Sequence, residues 1–391
     1  MASNLLGQFQ RAAAKPIPTF EYQPLERATV IRIVILQHGF GNDPIECRLL
    51  HTELGQKHYE ALSYEWGPPS HNDPTIVLDG FDIQVRKNLR DALTQIRLEE
   101  EDRYIWIDAL CIDQANVHER NHQVQLMGRI YRGARKVIVW LGPAKDNSDF
   151  AIEMTERINE LTVENITQYR AALLALCQRS YWRRVWITQE IHLARNYIIH
   201  CGRKSISDTA FDHAIAPTTI ERSFGVIDVY RDQILVSAAS NHMMPRRIHA
   251  YHNTLQMWIR LCIYSNLVCT EPRDIIYAML GIASDCQNGE LIPDYGKPLL
   301  EVYLEAIALC KQHKESVHGF ALTLAGKLGL TDNKNIHRLI SEIDKRGDKS
   351  KTRLSNDEGK RGLERRSDKI GKRQSSGKKW LRDFLKLCWI K

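Results

Sequence analysis

YIWIDALCIDQANVHERNHQV, residues Tyr104–Val124, starts as an apolar run and ends as a polar one. With Arg103 in front, RYIWIDAL has the apolar density of a buried strand. The polar half opens a helix, HERNHQVQLMGRIYRGA, with Val124, Met127, Ile130 and Tyr131 on one side. KVIVWLGP follows as a second apolar strand, stopped by Gly142-Pro143. Strand, helix and strand in this order predict an α/β fold with a mostly parallel sheet.

Working outward, TVIRIVILQ and IECRLLHTEL read as strands joined by the turn-rich HGFGNDP. HYEALSYEWG is a strand ended by Gly-Pro-Pro, and PTIVLDGFDIQV is a hairpin around Asp79-Gly80. NLRDALTQIRLEEE is a helix that Asn88 can cap. Residues 149–200 read as helical up to the strand NYIIHCG, and 205–330 as mainly helical, clearest in PRDIIYAMLGIASD and LLEVYLEAIALCKQH.

The expected organisation is a flexible leader at 1–20, an α/β domain at 21–202, a helical region at 203–330 and a basic, disordered tail at 331–391. At the tail's end Trp380, Leu381, Phe384, Leu385, Cys388 and Trp389 recur at helical spacing. They form either a short amphipathic helix for a partner or membrane surface, or one apolar turn in a solvated extension.

The net charge of +7 resides in the tail. Of 54 Lys and Arg, 19 lie at 331–391, against 9 of the 47 Asp and Glu, which leaves 35 basic and 38 acidic residues elsewhere. A nucleic-acid-binding body is not indicated. No run of 18 apolar residues exists, and the N-terminal stretch has no apolar segment of a secretory signal. The nine cysteines include no C-x-x-C pair, which points to a reducing, cytoplasmic setting.

The P-loop, G-x-G-x-x-G, G-x-S-x-G and H-E-x-x-H signatures are absent. Asp108 and Asp113 fall at the carboxyl end of a central strand, where open α/β sheets bind ligands. They either hold a ligand or cap the next turn through their side-chain oxygens. Cys111 between them is a nucleophile only with a lowered pKa, and otherwise a core thiol. His118 and His122, four apart, are too few for a metal site, and none is expected. Ser63, Tyr64 and Trp66 end a strand at the same edge if the strands are parallel, and Trp66 can stack on a ring or close a core. In RSYWRRVWITQEIHLARNYIIHCG, Glu190 near Trp186 is either a carboxylate with a raised pKa or a solvent-facing partner of Arg184 or Arg195.

Taken in order, YEALSYEWG, NLRDALTQIR, the block from YIWIDAL to KVIVWLG, and RSYWRRVWITQEIHLA resemble the fungal heterokaryon incompatibility (HET) domain. The resemblance covers roughly residues 20–310. It implies non-self recognition and cell death when incompatible strains fuse, an incompatible allelic or non-allelic fungal protein as partner, and self-association through the domain. HET domains are similar to TIR domains, so it also implies a TIR-like, flavodoxin-like sheet, here with an added hairpin. Some TIR domains cleave NAD at the nicotinamide–ribose bond with a helical glutamate. SYWRRVWITQEI looks similar to that helix, which makes Glu190 the candidate catalytic carboxylate. Tyr64, Trp66, Asp108, Asp113 and Trp186 are then candidate substrate-binding residues. NAD enters as substrate and no cofactor is implied; the alternative is a non-enzymatic signalling module.

Overall fold

A computed structural model describes residues 19–217, 219, 229–247, 253–311, 317–330 and 336–342. The leader apart from Thr19 and Phe20, most of the tail and the apolar turn at 380–389 lie outside the described residues.

Nine strands form one sheet: β1 (Val30–Leu36), β2 (Glu46–Glu53), β3 (Glu60–Tyr64), β4 (Thr75–Leu78), β5 (Phe81–Gln84), β6 (Arg103–Trp106), β7 (Val137–Trp140), β8 (Tyr197–Cys201) and β9 (Lys204–Ser207). Their spatial order is β5-β4-β2-β1-β6-β3-β7-β8-β9. The centre, β6-β3-β7-β8, is parallel throughout. The wings are antiparallel at β1–β2, β1–β6, β4–β5 and β8–β9, so the sheet is mixed, and its parallel character is concentrated at the centre. The central strands read as apolar runs because both of their faces are covered; all four residues of β7 are buried.

The helices are α1 (Lys87–Ile96), α2 (Asp108–Cys111), α3 (Val117–Gly133), α4 (Ser148–Glu156), α5 (Ile166–Cys177), α6 (Ile187–His192), α7 (Asp208–Ala214), α8 (Val229–Leu235), α9 (Ala238–Arg247), α10 (Leu255–Tyr264), α11 (Asp274–Leu280), α12 (Leu299–Lys311) and α13 (His318–Lys327). One core runs from Ile31 to Ala239 around the sheet. A second gathers Leu255 to Ile340 from the later helices.

The hairpin forms where expected, with Asp79 (φ 49°) and Gly80 (φ 84°) both left-handed, and it sits at one edge of the sheet. Three expectations need correction. The strand RYIWIDAL ends at Trp106, and Asp108–Cys111 turns into α2, since an apolar run does not by itself separate strand from buried helix. Asn88 does not cap α1; its amide donates to the Glu65 carbonyl (2.6 Å) while its oxygen accepts from the Trp140 indole (2.8 Å). The solvated tail does not begin at 331, because residues 336–342 are helical and bury Ile336, Leu339 and Ile340 in the second core.

One buried charge fastens the opening stretch to the sheet. Arg32 on β1 is fully buried. Its guanidinium donates to the carbonyls of Cys111 (3.0 Å) and Gln23 (2.7 Å) and to both carboxylate oxygens of Glu119 on α3. Burial pushes Glu119 up, but the bonds from Arg32 and from the Asp113 N–H hold it below its usual range. Arg32→Met leaves Glu119 uncompensated and should cost roughly 3–5 kcal/mol in urea unfolding. Adding Glu119→Gln should restore part of that loss.

Candidate functional site

Parallel pairing of β3 with β6 and β7 brings their carboxyl ends to one edge. β3 supplies Ser63, a fully buried polar residue between Leu62 and Tyr64. From the far side comes RSYWRRVWITQE. Residues Ser180–Arg183 form one 3₁₀ turn, which delivers Tyr181, and α6 delivers Glu190.

The Ser63 hydroxyl lies 2.6 Å from that of Tyr181 and donates to Glu190 Oε2. Arg184 Nη1 stands 3.5 Å from the same Glu190 oxygen, outside hydrogen-bond geometry. Glu190 is 1% exposed, so the solvent-facing alternative fails: the chain buries the carboxylate against Arg184. On the outer side, half-buried Asp108 accepts from the Trp66 indole (2.9 Å) and from the Ala109 N–H (2.7 Å). Trp66 is 37% exposed and forms part of the rim with Glu65, which accepts from the Ser180 hydroxyl.

Arg184 therefore pairs with Glu190 and acts on Asp108 through its charge alone. Burial raises the pKa of Glu190; Arg184 and the Ser63 hydroxyl oppose the rise and Asp108 adds to it. Burial also raises Asp108, against Arg184 and the Trp66 bond. Burial opposes the charge on Arg184 as well, but Glu190 and Asp108 outweigh it and hold its pKa above normal. The phenols of Tyr64, Tyr131 and Tyr181, buried around this group, are pushed well above their usual value by burial, and all three stay neutral donors. Such a group offers a buried carboxylate, a cation and hydroxyls, with an exposed indole at the rim.

The expected site residues divide. Glu190, Tyr64, Asp108 and Trp66 meet at this edge. Asp113 is engaged in a turn, where its carboxylate accepts from Ala115 N (3.1 Å) and Asn116 N (3.3 Å). Trp186 precedes α6, packs against both cores and reaches Asp274 of α11. Cys111 is a core thiol: burial pushes it up to about 12, and it accepts from the Ile107 N–H. His118 is exposed and His122 half-buried on α3; among the described residues no cluster of three or more His, Cys, Asp or Glu can hold a metal. Sequence reasoning missed Tyr181 and gave Arg184 only a surface role. The signal available for the pocket was Ser63, the hydroxyl inside EALSY.

Residues 59–190 match the family described as heterokaryon incompatibility protein (HET). This segment contains the whole edge cluster and ends on Glu190 itself. The segment is similar to the HET domain. The chain is 26% identical to heterokaryon incompatibility protein 6, OR allele, of Neurospora crassa, over 61% of this chain and 44% of that protein. It therefore spans less than half the length of this relative. No solved structure matches the chain.

Removing the shared cation gives a pH-dependent defect. In Arg184→Met both carboxylates lose the charge that lowers them, so their folded pKa values rise further above the unfolded ones. A carboxyl raised in the folded state costs nothing below its unfolded pKa, and its destabilisation accumulates as pH rises from there toward the folded value. Near neutral pH the variant should lose about 3–5 kcal/mol. In chemical denaturation at a series of pH values, that deficit should shrink as pH falls toward the ordinary carboxylate range.

Proposed function

We propose that the chain acts in heterokaryon incompatibility, as a cell-death effector that cleaves NAD at the carboxyl edge of its HET domain. The role in incompatibility is supported by the family match and by the relative's name. The chemistry is supported by one observation above the others: the buried Glu190 carboxylate converges with Arg184, Ser63 and Asp108 at the sheet edge where α/β folds bind ligands. The parallel centre gives further support. Numbered by sequence, its strands lie in the order second-first-third-fourth, the doubly wound flavodoxin-like order expected of a TIR-like domain.

In this reading NAD and water give nicotinamide, ADP-ribose and a proton. The ribose C1′–N bond breaks with its electron pair leaving on nicotinamide, which departs neutral and needs no acid. The ionised Glu190 carboxylate stabilises the oxocarbenium-like ribose, water adds at C1′, and its proton passes to solvent. Asp108 holds ribose hydroxyls and Trp66 stacks on a base. Arg184 favours the ionised form of Glu190 against the burial that raises its pKa. Self-association through the domain and an incompatible fungal protein as trigger belong to the same reading.

A second reading, a non-enzymatic module acting by self-association and recruitment, is favoured by the 1% exposure of Glu190. Two surface clefts, of about 300 and 270 Å³, are lined by other residues, including Arg179 and Tyr264 in one and Arg90 and Trp140 in the other.

Nicotinamide release decides between them. The full chain, alone and fused to an oligomerising module, is incubated with NAD and the products are separated by chromatography. The expected result is release in at least the oligomeric form, lowered about 10²-fold or more in Glu190→Gln with the circular dichroism unchanged. Absence of turnover in both forms, with cell killing retained in Glu190→Gln, would establish the second reading.

A further inference from the structure

The helix carrying Glu190 does not hold itself in place. α6 has six residues and no side-chain cap, too short to be stable alone. Much of what fixes it comes from beyond the family segment. Val185 N donates to the Val268 carbonyl (3.0 Å), and Val268 N returns a bond to Arg183 (2.7 Å). Gln189 donates its amide to the Ala278 carbonyl (3.2 Å). A Cβ on Gly281 would stand 2.6 Å from that amide nitrogen, so α6 and the end of α11 meet with no room for a side chain.

The first residue before α6 is held by a polar chain. The Trp186 indole lowers the Asp274 carboxyl that burial raises, and Asp274 Oδ1 accepts from the Tyr295 hydroxyl at 2.7 Å. Tyr295 is itself locked from three sides. Its N–H donates to Asn121 Oδ1 (3.2 Å), its ring lies under the Arg120 guanidinium (4.6 Å), and it meets the Tyr277 ring edge-on (5.3 Å). Arg120 and Asn121 belong to α3, so the chain of contacts closes back on the HET domain. PRD and PDYG, the two motifs that supply Asp274 and Tyr295, thereby acquire a task.

We infer that Asp274 and Tyr295 are positioning residues for Glu190: through Trp186 they fix the start of α6 and so set the carboxylate beneath Ser63. This rests on Glu190 being the working carboxylate of the proposed reaction. The chemistry at 274 must be a carboxylate. The Tyr295 hydroxyl donates to it and the Trp186 indole favours its ionised form, so both neighbours call for an acceptor. An amide of the same shape offers one acceptor and turns two hydrogens toward donors.

Hydrogen-exchange mass spectrometry on the full chain tests this without relying on turnover. Asp274→Asn and Tyr295→Phe are compared with wild type and with Ile307→Val, a change in the second core away from this chain. The expected result is exchange about tenfold faster over 186–193 in the first two, with β3 and β7 and the melting temperature unchanged, and no effect over 186–193 in Ile307→Val. In nicotinamide release the same two variants should lose kcat about tenfold with KM unchanged. If wild type releases no nicotinamide, the enzymatic reading fails alone and the exchange result still decides the positioning role. Unchanged exchange over 186–193 in both variants, equal loosening of β3 and β7, or an unchanged kcat would overturn it.

Discussion

A buried guanidinium paired with the buried Glu190 carboxylate, its charge also felt by half-buried Asp108, is the constraint around which the edge of this sheet is built. Each of the three charges would be expensive to bury alone, and Arg184 is tolerable only because Glu190 and Asp108 together outweigh its burial. The converse is incomplete: one cation cannot fully offset two acids, so both keep raised pKa values. The deficit explains the neutral donors around them. Ser63 donates to Glu190, and the Trp66 indole donates to Asp108, each supplying a hydrogen bond to a carboxylate the guanidinium only partly satisfies.

Every element that feeds this group is held by something else. β3 is fixed by parallel pairing on both sides. Asn88 ties its exit to the Trp140 indole of β7. α2 and the start of α3 are tied to the sheet through Arg32 and Glu119, so Asp108 is anchored at one end by a second buried ion pair. α6 leans on α11 and on the backbone bridge at Val268. The HET segment at 59–190 is thus completed by Arg32 before it and by Asp274 and Tyr295 after it. A group with one unbalanced charge tolerates little movement, and rigidity supplied from three directions suits it.

Much of the scaffold was legible because strands buried on both faces leave apolar runs with clear stops. β1, β3 and β7 announce themselves in that way, and the hairpin does so through its Asp79-Gly80 turn. The failures share a cause: side-chain partners distant in sequence. Nothing local tells that Asn88 will bridge Glu65 and Trp140 rather than cap its helix, or that WIDALC bends after Trp106. Glu190 was legible as a candidate through its resemblance to a helical glutamate, but its burial was not. In RRVWITQEI the arginine six residues earlier looks like a surface partner until the chain folds it inward. Residues 336–342 were hidden by composition, since a charged tract conceals three apolar residues that complete the second core.

A carboxyl titration by carbon-detected NMR reads the electrostatics of Glu190 directly. With glutamate side chains labelled, wild type should show one Glu carboxyl resonance titrating above the ordinary carboxylate range. That resonance should be absent in Glu190→Gln and should move higher still in Arg184→Met. If every glutamate titrates within or below the ordinary range, or if Arg184→Met leaves the Glu190 signal where it was, Glu190 is not the buried carboxylate paired with Arg184.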